Sequence, residues 1–139
     1  MGKEAFRESD VKELILPKNL EVIDDRAFQF ANNLEGTLII PENVKYIGQN
    51  AFQSNCLTSI VFPESIEIIE AGAFLYSELE NVEFKGRGKN LKKIGVDAFS
   101  SVKVQNKIDV RAFENIETYD FNNPILYFDE EIINKGGID

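Results

Sequence analysis

The chain has 139 residues, 43% of them hydrophobic, with fifteen basic and twenty-four acidic side chains and a formal net charge of −9. Length and composition fit one soluble domain, with no apolar run long enough to span a membrane; the acidic balance excludes nonspecific binding to nucleic acid or anionic lipid, which both require cationic neutralisation of phosphate. There is no histidine, so the chain has no Ser-His or Cys-His pair and no imidazole metal site.

In chain order, the pair Ala-Phe recurs six times, at Ala5-Phe6, Ala27-Phe28, Ala51-Phe52, Ala73-Phe74, Ala98-Phe99 and Ala112-Phe113. Between anchors the apolar residues fall in fixed columns. Val11, Leu14, Leu16, Pro17, Leu20 and Ile23 fill them first, then Leu34, Leu38, Ile40, Pro41, Val44 and Ile47, and then Leu57, Ile60, Phe62, Pro63, Ile66 and Ile69. Leu79, Val82, Phe84, Leu91 and Ile94 follow in the same register. Anchor spacings of 22, 24, 22, 25 and 14 residues mark four full coils of a solenoid and one short interval.

Each apolar-x-apolar triplet predicts a short strand, because period-two alternation sends two side chains inward and the middle one outward. The proline then ends the strand, since it has no N–H to give to a ladder. The remaining spacings of three and four predict a return arc of turns or short helical pieces. Four parallel strands are expected, around Leu14–Leu16, Leu38–Ile40, Ile60–Phe62 and Val82–Phe84, with the six Phe rings stacked as an internal ladder.

The fourth unit lacks the proline and carries an insertion, Lys85-Gly-Arg87-Gly-Lys89-Asn-Leu-Lys92-Lys93, with five of the fifteen basic residues. It lacks the spacing and hydroxyl of a phosphate loop. It reads as a flexible basic protrusion or as a contact for an acidic partner or a neighbouring copy. From Phe99 to Ala112 there is room for only half a coil. Either Ile108 is the arc residue that precedes each Ala-Phe, or Val104, Ile108 and Val110 are strand columns and the return arc is deleted. Beyond Phe121 the repeat is lost; residues 122–139 read as a C-terminal cap, with a short helix from Asp129 to Gly136, or as a linker.

This pattern resembles the BspA-like (Treponema pallidum type) leucine-rich repeat, most closely over Leu38-Ile-Ile-Pro-Glu-Asn-Val-Lys-Tyr-Ile-Gly-Gln-Asn-Ala-Phe52, and the resemblance covers residues 5–121. It implies a single-domain leucine-rich repeat solenoid with right-handed coils. It also implies a noncatalytic module for adhesion and protein binding, of the kind found mostly on surface or secreted proteins of bacteria and some protists.

The outward middle positions of the strands are the candidate partner-binding residues. Ile15, Ile39 and Val61, bordered by Pro17, Pro41 and Pro63, form an apolar stripe; Glu83, Asp109 and Asp120 continue the column as acids. As a stripe, the apolar residues mark an interface if exposed, or simply suit strands. As a pair, the acids could be considered for general acid/base work, but a flat sheet offers no pocket and solvated face charges are commoner. Lys85, Arg87 and Lys89 of the insertion are further candidates. Cys56 reads as a semi-buried small residue with no neighbour to activate it. No cofactor or metal is expected.

The repeat starts almost at Met1 without a capping segment. The chain is therefore expected to be a piece of a longer array, or to cover its first coil with a partner or a second copy by self-association. Residues 1–10 contain no secretory signal. A fragment that lacks its leader would belong on the cell surface or outside the cell; a chain that truly starts at Met1 would be cytoplasmic. Two functional readings follow. One is a protein-interaction module of an adhesin-like protein, binding through the strand face. The other is a small acidic intracellular inhibitor, viral or bacterial, that occupies a basic site on a nucleic-acid enzyme.

Overall fold

The computed structural model describes residues 2–100 and 113–117, together with the backbone of three two-residue strands at 108–109, 118–119 and 126–127. The coils stack into two parallel sheets, and the three middle coils contribute a strand to both. The front sheet has the order β2 (Glu35–Ile39), β4 (Cys56–Phe62), β6 (Asn81–Phe84), in the register Leu38↔Ile60↔Val82. Its residues are those the apolar-x-apolar triplets predict. The second sheet stacks β1 (Val22–Ile23), β3 (Tyr46–Ile47), β5 (Ile68–Ile69), β7 (Lys93–Ile94) and β9 (Thr118–Tyr119), built on the recurring Ile column.

That second sheet falls in the segment expected to be turns or short helices. The spacing of three and four comes from a different device, seen on either side of each Ala-Phe. The residue before the Ala and the residue two after the Phe are left-handed: Glu4 and Glu8, Arg26 and Phe30, Asn50 and Ser54, Gly72 and Tyr76. Alternate N–H groups then close turns within the coil, as Ala27 N–H does onto the Asp24 carbonyl, while the others donate to the next coil. Arg26, Phe28 and Phe30 donate to the carbonyls of Gln49, Ala51 and Gln53 at 2.8–2.9 Å. Each left-handed residue other than Gly72 costs about 1–2 kcal/mol, and each forward bond returns about 0.5–1.5 kcal/mol. The bonds thus hold the strain without a large net gain, and ring burial must supply the rest. Among the described residues the one helical piece is the 3₁₀ turn Lys85–Gly88 on the basic insertion.

Five phenylalanines, not six, form the ladder. Phe6, Phe28, Phe52, Phe74 and Phe99 stack at centroid spacings of 5.1–5.3 Å with interplanar angles of 4–8°. From Phe28 to Phe99 the rings are fully buried, as are Ala27, Ala51, Ala73 and Ala98, whose small side chains let the turns stack closely. Phe62 meets the ladder edge-on, 5.6 Å from Phe74, and stacks on Phe84. Phe113 leaves the ladder and stands edge-on to Phe84 at 5.1 Å. Its place is above Gly88, where a Cβ would come within 2.7 Å of the Phe113 ring.

Half a coil is also the wrong measure of the region after Phe99. Ile116 donates its N–H to Phe113 as Leu91 does to Gly88, Glu117 donates to the Lys92 carbonyl as Lys92 does to Glu67, and Tyr119 pairs with Ile94. These residues lie 25 positions after their counterparts, so the coil is full length and its arc is present; only the Ala-Phe pair is out of column. Ile108 lies in a strand, β8 (Ile108–Asp109), which pairs with β10 (Leu126–Tyr127) in a separate two-stranded sheet. Ala112 and the expected helix from Asp129 to Gly136 lie outside the described residues.

The strand expected at Leu14–Leu16 does not form. The Glu35 N–H bonds the Lys12 carbonyl at 3.0 Å, and the Asn43 amide reaches the Lys18 carbonyl at 3.4 Å, but the chain between these pins stands away from β2. In a parallel pair alternate residues of a strand face its neighbour; Leu38 and Ile40 face β4, so Thr37 and Ile39 turn their N–H groups toward the gap. Leu16 still reaches the core. The amides of Thr37 and Ile39 are expected to exchange with deuterium about tenfold faster or more than those of Leu38 and Ile40. Equal protection across the four would show that the first coil pairs with β2. Phe52→Ala removes a fully buried ring between two others and is expected to cost about 3–5 kcal/mol in denaturant melts; a loss below about 1 kcal/mol would mean that the ladder is not the core.

Candidate protein-interaction surface

The front sheet presents its middle positions along one face. Ile15 is 95% exposed and Ile39 61% exposed, whereas Val61 is half-buried and Glu83 exposed. The apolar stripe therefore tapers along the solenoid instead of running evenly: Pro17 is exposed, Pro41 half-buried and Pro63 buried. Where the first coil stands away from β2, a depression of about 370 Å³ opens between Leu14, Ile15, Leu16 and Lys18 on one side and Thr37, Ile39 and Pro41 on the other. Sequence periodicity could not show it, because Leu14, Ile15 and Leu16 match their columns and only the missing pairing opens the gap.

The acidic column does not continue as expected. Glu83 pairs across from Val61 on β6, but β8, which carries Asp109, belongs to the separate sheet with β10. Glu83 and Asp109 are therefore not neighbours on one ladder, and Asp120 lies outside the described residues. Among the described residues no group of three or more thiol or carboxylate side chains is placed to hold a metal ion, and no helix is long and apolar enough to cross a membrane. Cys56 is half-buried, with its thiol 3.2 Å from the Asn32 carbonyl.

The basic segment has a definite shape. Gly86 and Arg87 take left-handed angles in the 3₁₀ turn, which leaves Lys85 and Arg87 exposed. Lys89, Lys92 and Lys93 instead lean back onto the preceding coil and pair with Glu64, Glu67 and Glu70, the last two at 3.2 and 2.9 Å. The hydrogen bond from Lys89 to Glu64, followed by the carboxylate's charge, pushes the Lys89 pKa up. Three of the five cations are thus matched within the chain. The signal was in the sequence, since these acids precede their partners by 25, 25 and 23 residues, but reading it requires the coil register.

Two side-chain ladders went unread for the same reason. Asn43, Asn90 and Asn115 each donate to a carbonyl of the coil before, Lys18, Glu64 and Lys89 respectively. Arg7 donates to Gln29 at 3.0 Å, and Gln29, itself buried, donates to Gln53 at 2.7 Å.

A scan against family models matches residues 1–126 to six copies of the BspA type leucine-rich repeat region. The chain belongs to this family. Such repeats typically serve as noncatalytic protein-interaction modules and are often carried by surface or secreted proteins. No curated protein matches the chain, and no solved structure does.

Negative charge gathers beside the second sheet. Tyr46 lies among Asp25, Glu70 and Asp24, and burial, then these charges and a hydrogen bond to Asp25, push its pKa up to about 12 from 10.0. Folded Tyr46 keeps its proton where the unfolded chain loses it, so this contribution to stability is complete below pH 10 and declines as pH rises toward 12. Urea melts at about pH 9 and about pH 11 are expected to show a smaller loss of stability for Tyr46→Phe than for the wild type. Equal losses would separate Tyr46 from this field.

Proposed function

We propose that this chain is a noncatalytic protein-binding module from an adhesin-like surface or secreted protein, and that it grips a partner protein through the front face. The observation that carries the reading is the exposure of Ile15 and Ile39, two large aliphatic side chains that flank an apolar depression, with Ile39 held on the hydrogen-bonded strand β2. Desolvated anchors of this kind dominate binding energy, and a rigid backbone lowers the entropy lost on association. Val61 extends the contact, while Glu83, Lys85 and Arg87 border it as rim charges that steer a partner and set its register. The matched cations Lys89, Lys92 and Lys93 hold coils together in this reading.

The net charge of −9 supports a second reading, in which an acidic intracellular inhibitor fills a basic site on a nucleic-acid enzyme. The two rank the residues oppositely. With a partner captured by pull-down, Ile39→Asp is expected to weaken binding by at least about thirtyfold with little dependence on salt, the loss of a hot-spot anchor. Glu83→Lys combined with Asp120→Lys is expected to cost about 1 kcal/mol or less. If the charge reversals abolish binding, Ile39→Asp is silent and affinity falls steeply with salt, the inhibitor reading replaces the front-face one.

A further inference from the structure

On the front sheet β4 is paired along both edges, to β2 and to β6. In β2, Leu38 and Ile40 spend their backbone groups on β4, so Thr37 and Ile39, in the alternate places, direct both N–H and C=O toward the first coil. These groups find no partner there. No described backbone hydrogen bond joins residues 13–17 to β2, although the Lys12 and Lys18 carbonyls pin the coil on either side of that stretch. The gap therefore lies between two consecutive coils of the chain, which supply its two walls.

Two depressions, of about 370 Å³ and about 220 Å³, follow one another along this gap. Leu14, Ile15 and Thr37 line both, so they form one cleft. Its floor is aliphatic and its ends are oppositely charged: Lys18 stands at the end near Pro41, and Glu13 and Glu35 at the other. None of the ion pairs among the described residues uses these three side chains. From Glu35 to Ile40 the cleft follows six residues, or about 20 Å of extended chain. An occupant must bring N–H and C=O groups at alternate residues, aliphatic side chains, and a charge of opposite sign at each end. An extended peptide can carry all three.

We propose that this cleft takes an extended segment of the partner protein as an added strand on β2, about six residues long, aliphatic at alternate places, basic beside Glu13 and Glu35 and acidic beside Lys18. The inference rests on the front-face reading and names how that face grips. Pairing with Thr37 and Ile39 supplies affinity that any extended backbone can use, and Ile15 and Ile39 select the side chains. A compact partner surface laid over the sheet would cover the same two isoleucines and leave the Thr37 and Ile39 amides unpaired.

The full chain, labelled with nitrogen-15, is titrated with the blocked peptide acetyl-Lys-Val-Thr-Val-Thr-Glu-amide and with the same residues in reverse order, which leaves strand direction free. With one of the two, exchange at the Thr37 and Ile39 amides is expected to slow about tenfold or more, while Leu38 and Ile40 stay as they are. N-methylation of alternate peptide residues, which keeps the side chains and removes donors, is expected to weaken binding about tenfold or more in at least one of its two phases. Lys18→Glu is expected to weaken it about threefold and to be rescued by changing the peptide's Glu to Lys. Neither peptide protecting these amides overturns the proposal, as does N-methylation without effect in both phases. Protection that grows with the concentration of the chain alone seats a second copy in the cleft and overturns it too. If Ile39→Asp abolishes binding of a captured partner whose complex leaves the Thr37 and Ile39 amides in fast exchange, the front-face reading stands and strand addition falls.

Discussion

The spacing between coils is the constraint on which everything else in this protein depends. Parallel strands joined by hydrogen bonds lie about 4.8 Å apart, and whatever fills the interior must repeat at nearly that distance. Flat rings with their planes almost parallel do so, and the five stacked phenylalanines sit at 5.1–5.3 Å. The alanine before each ring keeps the turn thin, and the left-handed residues on either side aim alternate N–H groups at the next coil. Remove the ring and the turn loses the burial that offsets its backbone strain.

The same constraint makes the surface regular. Because each coil repeats the last, a residue's column determines its neighbours above and below, and side chains in one column meet through the stack. Asn43, Asn90 and Asn115 use this to tie each coil to the one before, and Lys89, Lys92 and Lys93 use it to pair with Glu64, Glu67 and Glu70. Such pairs are largely exposed and each adds little stability. Their effect is to neutralise a segment that looks strongly basic as text. On the front face the columns put Ile15 beside Ile39, and the absence of strand pairing in the first coil turns what would be a flat stripe into a depression.

Regularity fails at a definite place and for a visible reason. Ala112-Phe113 has the anchor's letters but the strand exit's position, 25 residues after Arg87-Gly88. The insertion in the fourth coil includes Gly88, which has no side chain to fill the space beneath, and Phe113 fills it. Apolar burial places this ring, and a ring serves as well over Phe84 as within the ladder.

Composition and periodicity determined the architecture: the columns Leu38-x-Ile40, Ile60-x-Phe62 and Val82-x-Phe84 specify strands, and Ala-Phe specifies the tight stacked turn, because period-two alternation and a repeated buried ring leave few other ways to hide those side chains. The outward places of Ile15, Ile39 and Glu83 followed from the same alternation. Tertiary structure alone decided which repeats of the pattern were used as such. Leu14–Leu16 matches its columns yet does not pair with β2, although β1 of the same coil does pair with β3. The Ile column became a second sheet because coils stacked in register bring its backbone groups within bonding distance. Phe113 left the ladder because a cavity over Gly88, formed by an insertion in another coil, was the better place to bury a ring.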